Sequence, residues 1–124
     1  MDKVKNKPSE EGRKLDENKV RYDLLPVDGM DEIARVLSFG SKKYGDRNWE
    51  KGISYGRLFR AAIHHLWAWW CGEQVDPESG RHPLAHCACC VIFLLCFEVR
   101  SIGGGGLDDR PRNTRPLLDG VDSK

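Results

Sequence analysis

Neither sign of charge dominates this chain: 20 Lys and Arg face 19 Asp and Glu, a formal net charge of +1 at pH 7. A dedicated binder of nucleic-acid polymers carries a strong basic excess, so the balance argues against that class. Long apolar runs are missing too. The longest uncharged apolar run, Cys87 to Phe97, is about half of what a bilayer requires, which argues against a membrane span. The opening MDKVKNKPSEEGRK lacks the apolar stretch of a secretory signal, so none is expected. No stretch shows the β-branched alternation of a strand, and no internal repeat is visible. Phosphate-cradling glycine loops are absent as well: Gly103 to Gly106 follows a helical pattern and lacks the Lys-Ser/Thr of a P-loop. With 124 residues the chain is expected to form one domain.

The five cysteines, Cys71, Cys87, Cys89, Cys90 and Cys96, crowd mostly into one helical stretch. Neighbours on a short helix lack the Cα separations and Cβ directions that a disulfide needs. An odd count without a secretory signal points to reduced thiols and a cytoplasmic location. Cys87-x-Cys89-Cys90 lacks the spacing and second ligand pair of a structural zinc site. An apolar helix also gives these thiols no reason to be nucleophilic.

The periodicity predicts an all-α fold, a compact bundle of three main helices whose core is completed by oligomerisation. Residues 1–19 form a flexible charged arm, 20–102 the folded domain, and 103–124 a glycine-rich break with a mobile tail. The first helix spans about 28–44, capped by Asp28 and closed by Gly45, with Met30, Ile33, Leu37 and Tyr44 on its apolar face. The second runs from a Ser54 cap to about Cys71; Leu58, Ala62, His65, Leu66 and Trp69 share its apolar face, with Arg57, Arg60 and His64 towards the other. The third spans about 81–101 with Pro83 in its first turn. Leu84, Ala88, Val91, Ile92, Leu95 and Val99 make one face of it, and Phe93 and Phe97 another. A helix apolar nearly all round is expected to be buried and central.

Charge is segregated along the chain. Seven basic residues and two acids lie between Arg35 and Arg60, whereas Glu73, Asp76 and Glu78 occupy the next loop with no base among them. That order suits a phosphate ester held by Lys and Arg beside hard cations on carboxylates, although two solvated faces would read the same way. All four histidines flank the acidic loop, and neutral imidazoles beside carboxylates make a candidate divalent-metal constellation. Trp67, Trp69 and Trp70 span one helical turn, so at least one must leave the core, to meet a partner subunit or a base. Asn48 and Trp49 differ: an amide edge beside an aromatic ring in a basic loop can read a purine.

Four blocks in fixed order, GRKLDENKVRYDLLP (12–26), FGSKKYGDRNWEKG (39–52), HHLWAWWCGEQVDPESG (64–80) and LAHCACCVIFLL (84–95), resemble the phage-encoded dATP/dGTP diphosphohydrolases, compact MazG-like (MazZ-like) members of the all-α NTP pyrophosphatases. The resemblance implies a dimeric or tetrameric helical bundle. It also implies two or three Mg²⁺ or Mn²⁺ ions that activate a water against the α-phosphorus of a nucleoside triphosphate, releasing pyrophosphate. In such phages the product dGMP would feed synthesis of 2-aminoadenine nucleotides. MazG-like enzymes carry E-x-x-E, a spacer and E-x-x-D; here Glu73-Gln74-Val75-Asp76 supplies the second motif, but Arg35 stands where the first would continue from Glu32.

On this reading Glu32, Glu73, Asp76, His65 and His86 are the candidate metal ligands, with Glu73 and Asp76 catalytic and Glu73 the preferred proton acceptor. Lys42, Lys43 and Arg60 would hold the phosphates, Asn48 and Trp49 the purine, and Arg13, Lys14 and Lys19 would close over them. The expected substrate is dGTP, with GTP and dATP as alternatives, and neither a nucleic-acid polymer nor a membrane is a partner. Two competing readings are a histidine-aspartate phosphohydrolase, for which the adjacent His-Asp pair is missing, and a non-enzymatic helical module using its tryptophans as contact points.

Overall fold

The structure, a computed structural model, describes residues 18–112. Most of the expected arm, with Arg13 and Lys14, and the last twelve residues of the expected tail lie outside the described residues. Three α-helices follow one another: α1 (Val27–Tyr44), α2 (Tyr55–Trp70) and α3 (Pro83–Arg100). Short 3-10 turns occupy Tyr22–Leu24 and Asn48–Lys51, and no strand occurs among the described residues. The chain is all-α, as its periodicity predicts.

The helix ends show local chemistry differing from expectation at two caps. Asp28 does not cap α1: Pro26 holds that position, and Asp28 lies in the first turn, its Oδ1 accepting a 2.8 Å hydrogen bond from the Gly29 N–H. Ser54 is the N-cap residue of α2, but its hydroxyl makes no capping bond. The cap comes from the far end of the chain. Asp109 Oδ1 accepts from the Gly56 N–H at 2.7 Å, and the Leu107 carbonyl accepts from the Tyr55 N–H at 2.8 Å. Pro83 opens α3, and His82 caps it, its Nδ1 accepting from the Leu84 N–H at 3.0 Å.

Both α1 and α2 lean on α3 rather than on each other, and α2 packs the more extensively. Two apolar clusters result. Val36, Ala85 and Cys89 join α1 to α3, flanked by Ile33 and Phe93. Tyr55, Leu58 and Phe97 join α2 to α3, with Trp49, Ile53, Leu94 and Leu107 around them. The central position of α3 matches expectation, and of its two expected faces the one with Phe93 and Phe97 packs, together with Ala85 and Cys89, while Val91, Leu95 and Val99 of the other are exposed. Ala85 and Cys89 let α1 approach, while Phe97 fills the contact with α2. The packed stripe of α1 is likewise Ile33 and Val36; Met30, Leu37 and Tyr44 are exposed. At 18 residues, α3 as a whole is long and apolar enough to cross a membrane by length and composition. Here it is the helix on which both others pack.

The expected break and mobile tail are corrected over residues 103–112. The glycines turn the chain back on itself, Gly105 and Gly106 with φ of 68° and 93°, so that Leu107 enters the second cluster and Asp109 reaches α2. Asp108 clamps Arg110, with Nε at 2.8 Å, and this holds its carboxyl down at about 2. Asp109→Ala is expected to lower stability by about 1 kcal/mol through loss of the cap. The check is a lower urea midpoint with an unchanged slope; an unmoved midpoint would mean that Asp109 does not stabilise α2.

Candidate active site

The gap between α1 and α2 is a cleft of 780 Å³, within the range of ligand pockets. From α1 come Phe39, Lys43 and Tyr44; from the following loop Arg47, Asn48, Trp49 and Ile53; from α2 Arg57 and His65. The α2–α3 loop and α3 supply Asp76, Glu78, His86, Cys89, Cys90 and Phe93. Arg47 sits in the left-handed region at φ 54° and ψ 30°, a conformation that costs a non-glycine residue energy and recurs at functional loops.

Two ion pairs strap the acidic loop to α1. Arg81 Nη2 donates to both oxygens of Glu32 at 2.9 Å, and Lys43 pairs with Glu78. The Glu78 carboxylate, and then Tyr44, hold the Lys43 ammonium above its usual range. Inside the loop, Asp76 Oδ2 accepts from the backbone N–H of Ser79 at 3.0 Å, the N–H of Glu78 at 3.2 Å and the Ser79 hydroxyl at 3.1 Å. Burial pushes the Asp76 carboxyl up, but these donors and His86, 3.8 Å away, outweigh it and keep the group below the ordinary carboxylate value. His86 Nε2 lies 2.6 Å from Ser79 Oγ, and its ring stacks on His65 at 4.7 Å.

His65 is half-buried, and its Nδ1 has no hydrogen-bond partner among the described residues. Burial first, then His86, lower its pKa from the ordinary 6.5, against opposing pulls from Asp76 and Glu73. As pH falls the unfolded chain therefore binds this proton first. The stability His65 contributes is full above 6.5 and is lost as pH drops through the lower folded value. Asp76 adds a more acidic window, its contribution being present above 3.8 and lost below it. Thermal melts are expected to be flat at neutral and mildly alkaline pH and to fall in these two stages on acidification. A midpoint that rises on acidification below neutrality would contradict the assignment.

Residues 9–110 match the family described as dATP/dGTP diphosphohydrolase, N-terminal. The chain belongs to this family. It is also 35% identical over 83 residues to a dATP/dGTP diphosphohydrolase of Salmonella phage PMBT28, a match that takes in 67% of this chain. The chain spans about 28% of that relative's length. No solved structure matches significantly.

Within this diphosphohydrolase-family fold the expected site residues are only partly gathered. Lys43, Asn48, Trp49, His65, Asp76 and His86 all line the cleft. Lys42 lines a neighbouring surface depression with Arg47 and Asp46 instead, and Arg60 lines neither. Trp49 does not present an open face: it stacks on Phe93 at 4.6 Å and lies 5.2 Å from the Arg100 guanidinium, so its place is in the cleft wall. Tyr44, exposed at the opposite end of the lining, is the more open aromatic ring. Glu73 is half-buried outside the lining, though its charge acts on His65. Glu78, expected as part of the acidic loop, lines the cleft, while Arg47, Arg57 and Ser79 belong to the site or its support without standing among the candidate site residues. Arg57 was set on the far side of its helix; its place early in α2 turns it towards the loop after α1.

The divalent ions implied by the resemblance do not fit the donors of one chain. Among the described residues no group of three or more His, Cys, Asp and Glu side chains is placed to hold an ion. Both oxygens of Glu32 face Arg81, and His86 Nε2 faces Ser79. Burial lifts the thiols of Cys89 and Cys90 to about 12 and about 11, so they stay protonated at neutral pH and are not nucleophiles. His82, which shares a helical face with His86 in the sequence, is a cap.

Proposed function

We propose that the cleft hydrolyses a purine deoxynucleoside triphosphate, dGTP first and dATP or GTP next, to the monophosphate and pyrophosphate. The observation that supports it is the opposition of Lys43, Arg47 and Arg57 to Asp76 and His86 across one 780 Å³ cleft in a chain of this family. Phosphoryl transfer needs charge neutralisation and positioning more than covalent help, and this is what such a cleft can supply. The cations would bind the phosphate oxygens, Asp76 would orient the attacking water and take its proton at Oδ1, and Asn48 would meet the base edge. Glu73, whose charge acts on His65, would support the site from outside the lining. Mg²⁺ or Mn²⁺ would enter with the triphosphate, whose oxygens provide ligands that the chain does not gather.

The finer role is production of dGMP for 2-aminoadenine nucleotide synthesis in a phage, in the host cytoplasm. The assembly is a homodimer or homotetramer, because Phe59, Ile63, Trp67 and Trp70 leave an apolar stripe on α2, with Trp67 65% and Trp70 76% exposed. Light scattering after size exclusion tests this, and a monomer would refute it. The function itself is tested by incubating the protein with dGTP, dATP, dCTP, dTTP and GTP, with Mg²⁺ or Mn²⁺ and then with EDTA, and resolving the products. Monophosphate and pyrophosphate from a purine nucleotide, lost with EDTA, is the expected result. Nucleoside with inorganic triphosphate would favour a histidine-aspartate type of hydrolysis, and no turnover would favour a binding module.

A further inference from the structure

Ser79 lies in the loop between α2 and α3, where its hydroxyl meets three partners at once. Its Oγ is 3.1 Å from Asp76 Oδ2, 2.6 Å from His86 Nε2 and 3.1 Å from the Arg81 backbone nitrogen. A hydroxyl offers one proton and two lone-pair positions. The Arg81 N–H can only donate and takes one lone pair. With no proton between them, Ser79 Oγ and Asp76 Oδ2 would be two acceptors 3.1 Å apart, so the arrangement that satisfies every contact sends the hydroxyl proton to Oδ2. One lone pair on Oγ then remains, and only a proton on His86 Nε2 can match it.

We propose that Ser79 is a positioning residue that keeps a proton on Nε2 of His86, so that the uncharged ring is the Nε2–H tautomer, and holds Asp76 by Oδ2. Nδ1 of His86 and Oδ1 of Asp76, neither with a hydrogen-bond partner among the described residues, are thereby the two acceptor atoms left to act on a substrate-side water. Nε2 of His86 is committed to the serine and is not a metal ligand. The tautomer stands on hydrogen-bond geometry alone; its effect on turnover rests on the hydrolytic reading of the cleft. In metal sites, partners that orient a ligating histidine are worth about 10–100-fold, and an effect of that order is expected for a histidine ring held for hydrolysis.

The test is ¹⁵N NMR of histidine-labelled protein at mildly alkaline pH, the His86 signals being identified by their loss in His86→Gln. A proton-bearing Nε2 and a bare Nδ1 are expected in the wild type, and the reverse pattern or an averaged one would overturn the proposal. Ser79→Ala is expected to give averaged ring nitrogens and a kcat lowered about 10–100-fold with KM nearly unchanged. Ser79→Thr, which keeps the hydroxyl, should restore both. A Ser79→Ala protein that keeps one Nε2–H tautomer and wild-type kcat would also overturn it. If the wild type shows the assigned tautomer yet turns over no nucleotide, the positioning role of Ser79 stands and the hydrolase reading falls.

Discussion

Asp76→Asn is expected to lower kcat on the purine nucleotide by about 10²–10⁴-fold, the range for loss of a positioned acid or base. The reasoning is one of elimination among the acids in and beside the cleft. Glu78 is neutralised by Lys43 and Glu32 by Arg81, whereas Asp76 shares the lining with His86 and has Oδ1 without a partner among the described residues. Asparagine keeps the shape, and its amide oxygen can still accept from the N–H groups of Glu78 and Ser79. The loop should therefore persist, and an unchanged far-UV circular dichroism spectrum is part of the expected result. Because the amide cannot ionise, it cannot take a proton from water. An Asp76→Asn protein with wild-type kcat would remove this carboxylate from the chemistry.

Phe97→Ala is expected to destabilise the fold by about 3–5 kcal/mol. Phe97 is 0% exposed, and its ring lies 6.0 Å from Tyr55 and 5.8 Å from Trp49. Truncation would open a cavity where α2, α3, the Asn48–Lys51 turn and Leu107 converge. With few residues fully buried in this small unit, neighbours on several separate segments cannot all move in to fill it. Such a loss is a large share of the roughly 5–15 kcal/mol that stabilises a typical domain, so the thermal midpoint should fall by more than about 10 °C. A change under about 1 kcal/mol in denaturant unfolding would mean that the cluster closes around the smaller side chain.

The chemical character of the site was legible because charge segregation survives folding: a basic stretch before an acidic, histidine-flanked loop becomes the two sides of one cleft. Which residues of each stretch face the cleft was not legible. Arg57 rather than Arg60 lines it because the start of α2 lies beside the loop that follows α1, and a helical wheel drawn on α2 alone contains no such neighbour. Trp49 is in a basic loop, as its surroundings suggested, but Phe93 takes up its ring face from more than forty residues away. Ser79 had no signal at all, since its role depends on His86 returning beside it on α3.

The sequence alone determined the three helices, their approximate limits and the central place of α3, because helix periodicity, Pro83 and Gly45 act within a few residues of themselves; the family was legible from the four blocks of residues that resemble it. Only the tertiary structure decided which stripe of α3 is buried, since a helix apolar nearly all round does not show on which side α1 and α2 pack. It alone decided that the glycine run turns Leu107 and Asp109 back onto α2. It also turned the candidate ligands Glu32 and His86 to partners within the chain, Arg81 and Ser79. Hydrogen bonds and ion pairs between distant segments are settled by three-dimensional proximity, which no local pattern encodes.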